Sequence, residues 1–195
     1  MQTVYASSLE NGRLVSYDVS TLQSTGSIES FGHCEGKPSG YNMISNREPY
    51  YVMSGAFGKT GGCGMSLSLD GKGSLKGGAK SWPLEDTSTV HGFQFWDIEG
   101  TQLLYTADMG TDLIWTHAVD KFGGVSEIDR MKFSKPNVQP RFIQIHPNGR
   151  YMYVVLEHDN SVTALHMSNS GAISEDKDEV PFSLIPEGNG TRPRE

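Results

Sequence analysis

One pattern recurs four times along the chain: an aromatic-rich strand, a polar turn, a second strand and a glycine turn. The copies are VYASSLENGRLVSYDVSTLQSTGSI from Val4, YYVMSGAFGKTGGCGMSLSLDGKGSL from Tyr50, LYTADMGTDLIWTHAVDKFGGVSEI from Leu104 and MYVVLEHDNSVTALHMSNSGAISED from Met152. Aligned on Tyr5, Tyr51, Tyr105 and Tyr153, they repeat at roughly 50 residues, the length of one four-stranded propeller blade. Such a unit cannot cover both of its faces alone and so stacks on its neighbours. The expectation is an all-β fold, a β-propeller of about four blades, with residues 1–195 forming one partial domain and a polar tail over about 187–195. The 23 glycines, eight tyrosines and eight phenylalanines agree with many short strands and tight turns rather than a helical bundle.

The segments HGFQFW from His91 and RFIQIH from Arg141 each add a strand ahead of the last two tyrosines, and these are expected to be innermost. His91 and Arg141 then begin equivalent strands in successive blades, at the mouth of a central channel. Residues 141–162 read as a hairpin: strands over 142–145 and 151–156 flank Pro147-Asn148-Gly149, a turn signal. Antiparallel pairing returns Glu157 to the end where Arg141 began. A basic and an acidic side chain on one rim make either an anion site or a plain structural ion pair.

A closed ring of four blades is uncommon, so the chain reads as an arc of a larger ring, truncated and with exposed blade faces. A homo-oligomer covering those faces is the partner this implies. The formal net charge of −7 argues against nucleic acid and anionic membrane surfaces as partners. No apolar run approaches the roughly 20 residues of a membrane span, and MQTVYASSLENG lacks the apolar stretch of a secretory signal. A cytoplasmic location is expected, with an extracellular one requiring a leader upstream of Met1.

Cys34 and Cys63 form no CxxC pair and are expected as free thiols, a disulfide between them being the alternative. His33 beside Cys34 is too few ligands for a metal. The run KTGGCG from Lys59 lacks the GxxxxGK[ST] pattern and precedes a strand, so it reads as a blade loop rather than a phosphate cradle. His146 reads as structural, His117 lies in a strand-like run and His158 has no defined role. Trp82, Trp96 and Trp115 suit blade packing. Asn189-Gly190-Thr191 is a glycosylation sequon that matters only in an exported form.

TSTVHGFQFW, LLYTADMGTDLIWTH, QPRFIQIHPNGRYMYVVLEHDNSV and PFSLIPEG resemble the seven-bladed propeller lactonase family, within it most closely the fungal 3-carboxy-cis,cis-muconate lactonizing enzymes, or carboxy-cis,cis-muconate cyclases. The resemblance runs from about Pro49 to Gly188; the first 48 residues share only the blade pattern. It implies a channel site with a histidine, an arginine and a glutamate, carried onto His91 in VHGFQF, Arg141 in QPRFIQ and Glu157 in VVLEHD. The family pattern has a second arginine in a blade with no counterpart in 1–195; Arg192 and Arg194 do not match its motif.

The resemblance implies a cycloisomerase that adds a substrate carboxylate across a carbon–carbon double bond, converting 3-carboxy-cis,cis-muconate to its lactone in aromatic-compound catabolism. This is an isomerase reaction with no redox step, no cofactor and no metal. Arg141 would bind the carboxylate and stabilise developing negative charge. His91 and Glu157 would transfer the proton. The alternatives are a 6-phosphogluconolactonase-like hydrolase of a sugar lactone and a non-catalytic propeller used for binding. In both enzymatic readings the partner is a small polycarboxylate or lactone.

Overall fold

Strand-forming runs separated by short polar turns build nearly all of the computed structural model, which describes residues 2–58, 62–175 and 182–183. The strands fall into four antiparallel sheets. Sheet one has β1 (Thr3–Ser7), β2 (Leu14–Asp18) and β3 (Ser24–Ile28). A 3-10 turn, Gly32–Cys34, leads to sheet two: β4 (Ser39–Ile44), β5 (Tyr51–Ala56), β6 (Cys63–Leu69) and β7 (Leu75–Pro83). Sheet three has β8 (Val90–Ile98), β9 (Thr101–Asp108), β10 (Leu113–Val119) and β11 (Val125–Lys132). Sheet four has β12 (Pro140–Ile145), β13 (Tyr151–Leu156), β14 (Ser161–Met167), β15 (Ile173–Glu175) and β16 (Phe182–Ser183), the last pairing with β14.

Three core clusters lie between successive sheets. One holds Leu14, Val52 and Leu67; the next Met53, Phe93 and Leu104; the third Leu103, Tyr105, Met152 and Val154. Adjacent residues of one strand serve opposite cores, Val52 against Met53 and Leu103 against Leu104, because side chains alternate along a strand. This explains why YVMSGA and LLYTA are apolar almost throughout: middle sheets are covered on both faces. Sheets one and four leave Val4, Phe142 and Tyr153 exposed.

A repeated turn joins the third and fourth strands. Asp70 and Asp120 accept backbone N–H groups two and four residues on through Oδ1, and Ser168 accepts the N–H of Ala172 through Oγ. Each turn then passes a glycine at positive φ, Gly73, Gly123 or Gly171, a conformation costly for residues with a Cβ. The preceding sheet's tyrosine docks onto that turn. Tyr5 donates to the Gly73 carbonyl, Tyr51 to Lys121 (3.2 Å) and Tyr105 to Gly171 (2.7 Å). The tyrosine repeat is thus a series of sheet-to-sheet clamps.

The structure corrects three expectations. A third inner strand, β4, precedes Tyr51, and sheet one has three strands. Tyr51 is two residues off the register of Tyr105 and Tyr153: those pair with Gln94 and Gln144, whereas Met53 pairs with the equivalent Met43. Cys34 and Cys63 are not free thiols. They form a disulfide with a Cα–Cα distance of 5.6 Å, and both residues are buried. The turn after sheet one packs on the first residue of β6, a contact between sheets that sequence spacing does not reveal.

Residues 59–61 of the glycine-rich run, the sequon at 189–191 and the tail over 187–195 lie outside the described residues. Gly62 precedes β6, which begins at Cys63, so the run passes into a strand as expected, with Cys63 and Gly64 already part of that strand rather than of a loop.

Candidate functional site

The inner strands β4, β8 and β12 carry the same irregularity. Ser39 pairs with Ala56 and Tyr41 with Gly55; Val90 with Asp108 and Gly92 with Ala107; Pro140 with Leu156 and Phe142 with Val155. The skipped residue is Gly40, His91 or Arg141. Such a bulge bends the strand and re-aims the side chain at the sheet edge. His91 and Arg141 are therefore equivalent positions by register, as their place in the sequence led us to expect. The residue that follows each second strand comes back to the same rim: Phe57, Met109 and Glu157.

In sheet four this position pairs charges. Arg141 Nη1 donates to Glu157 Oε2 at 2.6 Å, with side chains 42% and 34% exposed. In sheet two it pairs a glycine with a ring: a Cβ on Gly40 would lie 2.4 Å from the Cβ of Phe57. In sheet three the histidine stands at the bulge. Gly92 beside it lets β8 approach β12, since a Cβ there would meet the Arg141 carbonyl oxygen at 2.6 Å.

Electrostatics tie the three expected residues together. The His91 pKa is lowered from 6.5, first by burial and then by the positive charge of Arg141, while Glu157 pulls it the other way. The neutral imidazole is favoured at pH 7. His91 Nδ1 is buried and has no hydrogen-bond partner among the described residues. Around the ring stand Phe57 at 5.6 Å, Phe142 at 6.1 Å and Tyr41 at 6.4 Å between centroids. Tyr41 also packs edge-on to Phe142, and burial raises its phenol pKa. The rim thus combines one guanidinium, one carboxylate, one neutral imidazole and an aromatic wall.

The sequence did not single out Tyr41, Phe57 or Phe142. The available signal was the alignment of Gly40-Tyr41, His91-Gly92 and Arg141-Phe142 at the starts of three inner strands. It needed the third inner strand to be recognised in SGYNMI.

The remaining candidates lie elsewhere. His146 Nδ1 accepts the Asn148 N–H within its turn, a structural role. His117 is buried in β10 against Trp115 and Trp82, and burial pushes its pKa down to about 4. The His158 N–H donates to Val138. Trp82 and Trp115 are buried and Trp96 packs against the third core, as expected. Cys34 is bonded through sulfur to Cys63, which removes the thiolate that a metal site with His33 would need. Among the described residues no group of three His, Cys, Asp or Glu is placed to hold a metal. Arg13 pairs with Glu29, Arg47 with Asp97, and Arg130 with Glu85 and Glu127. Arg150 follows the turn at the opposite end of the β12–β13 hairpin. No helix of the described residues is long and apolar enough to cross a membrane.

Comparison with known proteins bears on this arrangement. A family model described as "Lactonase, 7-bladed beta-propeller" matches residues 1–190. Carboxy-cis,cis-muconate cyclase of Neurospora crassa is 28% identical over 120 residues, covering 62% of this chain and 32% of that protein. Muconate cycloisomerase 1 of Cutaneotrichosporon cutaneum is 33% identical over 76 residues, 38% of this chain and 20% of that protein. The chain therefore matches about a third or less of the length of these relatives. Among solved structures, a Lactobacillus plantarum protein superposes with a TM-score of 0.76 at 17% identity, over 95% of this chain and 54% of the other. The periplasmic gluconolactonase of Pseudomonas aeruginosa does so at 0.69 and 17%, over 91% and 51%. At these identities the superpositions speak for the fold.

Proposed function

This chain belongs to the seven-bladed β-propeller lactonase family, and from that membership we propose that its rim site works on a small carboxylated or lactone substrate, hydrolysing a lactone ring. The observation that carries this reading is a half-buried imidazole, kept neutral at pH 7 by burial and by the charge of Arg141, on the same rim as the Arg141–Glu157 pair. A neutral imidazole is a base ready at pH 7. In hydrolysis, water attacks the ring carbonyl and gives its proton to His91. Arg141 stabilises the oxyanion, the ring C–O bond breaks, and the proton returns to the leaving oxygen. Glu157 holds the guanidinium in place and balances its charge.

A second reading is the cyclisation of 3-carboxy-cis,cis-muconate, and the 28% identity to the Neurospora cyclase favours it. A substrate carboxylate oxygen would bond to an alkene carbon as the π bond breaks, and the neighbouring carbon would take a proton from His91 in its protonated form, which solvent then reprotonates. Tyr41 and Phe142 would flank the planar conjugated chain.

The deciding measurement is turnover of 6-phosphogluconolactone and of 3-carboxy-cis,cis-muconate by protein purified from its source, side by side. Hydrolysis alone supports the first reading, and loss of muconate absorbance alone replaces it with the second. Inertness toward both overturns enzymatic function on these substrates in favour of a binding propeller.

A further inference from the structure

We propose that the turn between β9 and β10, Asp108-Met109-Gly110-Thr111-Asp112, is the brace that positions the rim site: Asp108 sets the approach to His91, and Asp112 sets the approach to Arg141 and Glu157. The inference rests on the reading of those three residues as the working site, with His91 and Arg141 acting on the substrate and Glu157 holding Arg141.

The turn carries an aspartate at each end, and each one reaches across to the segment leading into an inner strand. Asp108 is fully buried. Its Oδ1 accepts the N–H of Thr89 at 2.7 Å and of Gly110 at 3.1 Å, and its Oδ2 accepts Trp115 Nε1–H at 2.9 Å. The Met109 N–H donates back to the Thr89 carbonyl at 2.9 Å. Gly110 permits this approach, because a Cβ there would lie 1.9 Å from the Thr87 carbonyl oxygen. Thr89 stands two residues ahead of His91.

Asp112 does the same for the next sheet. Its carboxylate accepts the N–H groups of Asn137 and Gln139, at 2.5 and 2.9 Å, and its carbonyl accepts that of Phe133 at 3.2 Å. Asn137 and Gln139 have φ of +58° and +56°, a region costly for residues with a Cβ, so the segment needs an outside partner to hold it. Two charge-assisted bonds to one carboxylate supply that hold. Gln139 stands two residues ahead of Arg141, and its carbonyl accepts the Glu157 N–H at 3.0 Å. One carboxylate thus fixes the backbone on both sides of the Arg141–Glu157 pair.

His91 and the Arg141–Glu157 pair come from different sheets, and a five-residue turn sets both. Neither aspartate hydrogen-bonds to the three side chains, so each is a positioning residue. Misplacement of about 1 Å in a catalytic array costs on the order of 100-fold in rate.

Asp108 bonds to a buried tryptophan, so its loss risks the fold; the informative variant is Asp112→Asn, which keeps the size and turns an amide NH2 toward a backbone N–H. In full-length protein we expect kcat to fall roughly 10- to 100-fold with KM nearly unchanged. Amide exchange should accelerate at Asn137, Gln139 and Glu157. Combined with Glu157→Gln, Asp112→Asn should cost much less than it does alone, because it acts through the same group. Undiminished kcat with faster exchange at Asn137 and Gln139 overturns the brace, as does a full multiplicative loss in the double variant. If the unaltered protein turns over neither substrate, the functional reading fails by itself. The brace is then judged on the NMR signals of Arg141 Nε–H and the Glu157 amide. Shifts in Asp112→Asn uphold it, and unchanged signals overturn it.

Discussion

An ion pair with side chains 42% and 34% exposed adds little to folding, on the order of 0–1 kcal/mol. Arg141→Ala and Glu157→Gln are therefore expected to shift the denaturation midpoint only slightly while cutting turnover by roughly 100-fold or more. Urea titration and steady-state kinetics on the same samples check this; a structural pair would show the opposite ranking. The pH profile follows from His91. Its pKa is lowered by burial first and by Arg141 second, so the base form persists below pH 6.5 and the acid limb of kcat/KM should fall there. Removing Arg141 takes away a lowering influence, so in Arg141→Ala the His91 titration followed by NMR should move upward. A downward move would mean that the guanidinium does not act on the imidazole.

Between sheets, the clearest regularity is the tyrosine on the strand-three to strand-four turn of its neighbour. Tyr105 is fully buried, and burial drives its phenol pKa far up, so the group stays a neutral donor to Gly171. Tyr105→Phe strands that carbonyl and should cost about 1–3 kcal/mol by chemical denaturation, more than Tyr51→Phe, whose hydroxyl lies at a more exposed contact. Equal costs would show that the clamp has no energetic weight. Much of this level was legible in sequence, because an aromatic strand and an Asp- or Ser-led glycine turn are local signals repeated at one period. The pairing of Arg141 with Glu157 was legible too, since a short hairpin fixes both ends. β4 was not, because SGYNMI is weakly apolar. Asp108 and Asp112 were also hidden: each grips backbone N–H groups of a distant segment, and backbone donors leave no residue type to read.

Across the whole molecule, the Cys34–Cys63 bond is where structure and sequence reading part most sharply, and it bears on where the protein matures. The bond closes a loop with a sequence separation of 29 between the end of sheet one and β6, at a Cα–Cα distance of 5.6 Å. In the chain-entropy picture a loop of this length stabilises by about 3–4 kcal/mol. For a chain of this size that corresponds to roughly 10 °C in Tm, so reduction, or Cys34→Ser with Cys63→Ser, should lower Tm by that order. Buried disulfides persist in oxidising compartments and are rare in the cytosol. We therefore propose maturation in an oxidising compartment in place of the cytoplasmic location expected from the sequence. Thiol trapping of the protein in its source cells decides the matter. Protection of both cysteines until a reductant is added supports the oxidising compartment. Labelling of both after denaturation without reductant restores the cytoplasmic expectation and means that this chain packs its two thiols unbonded.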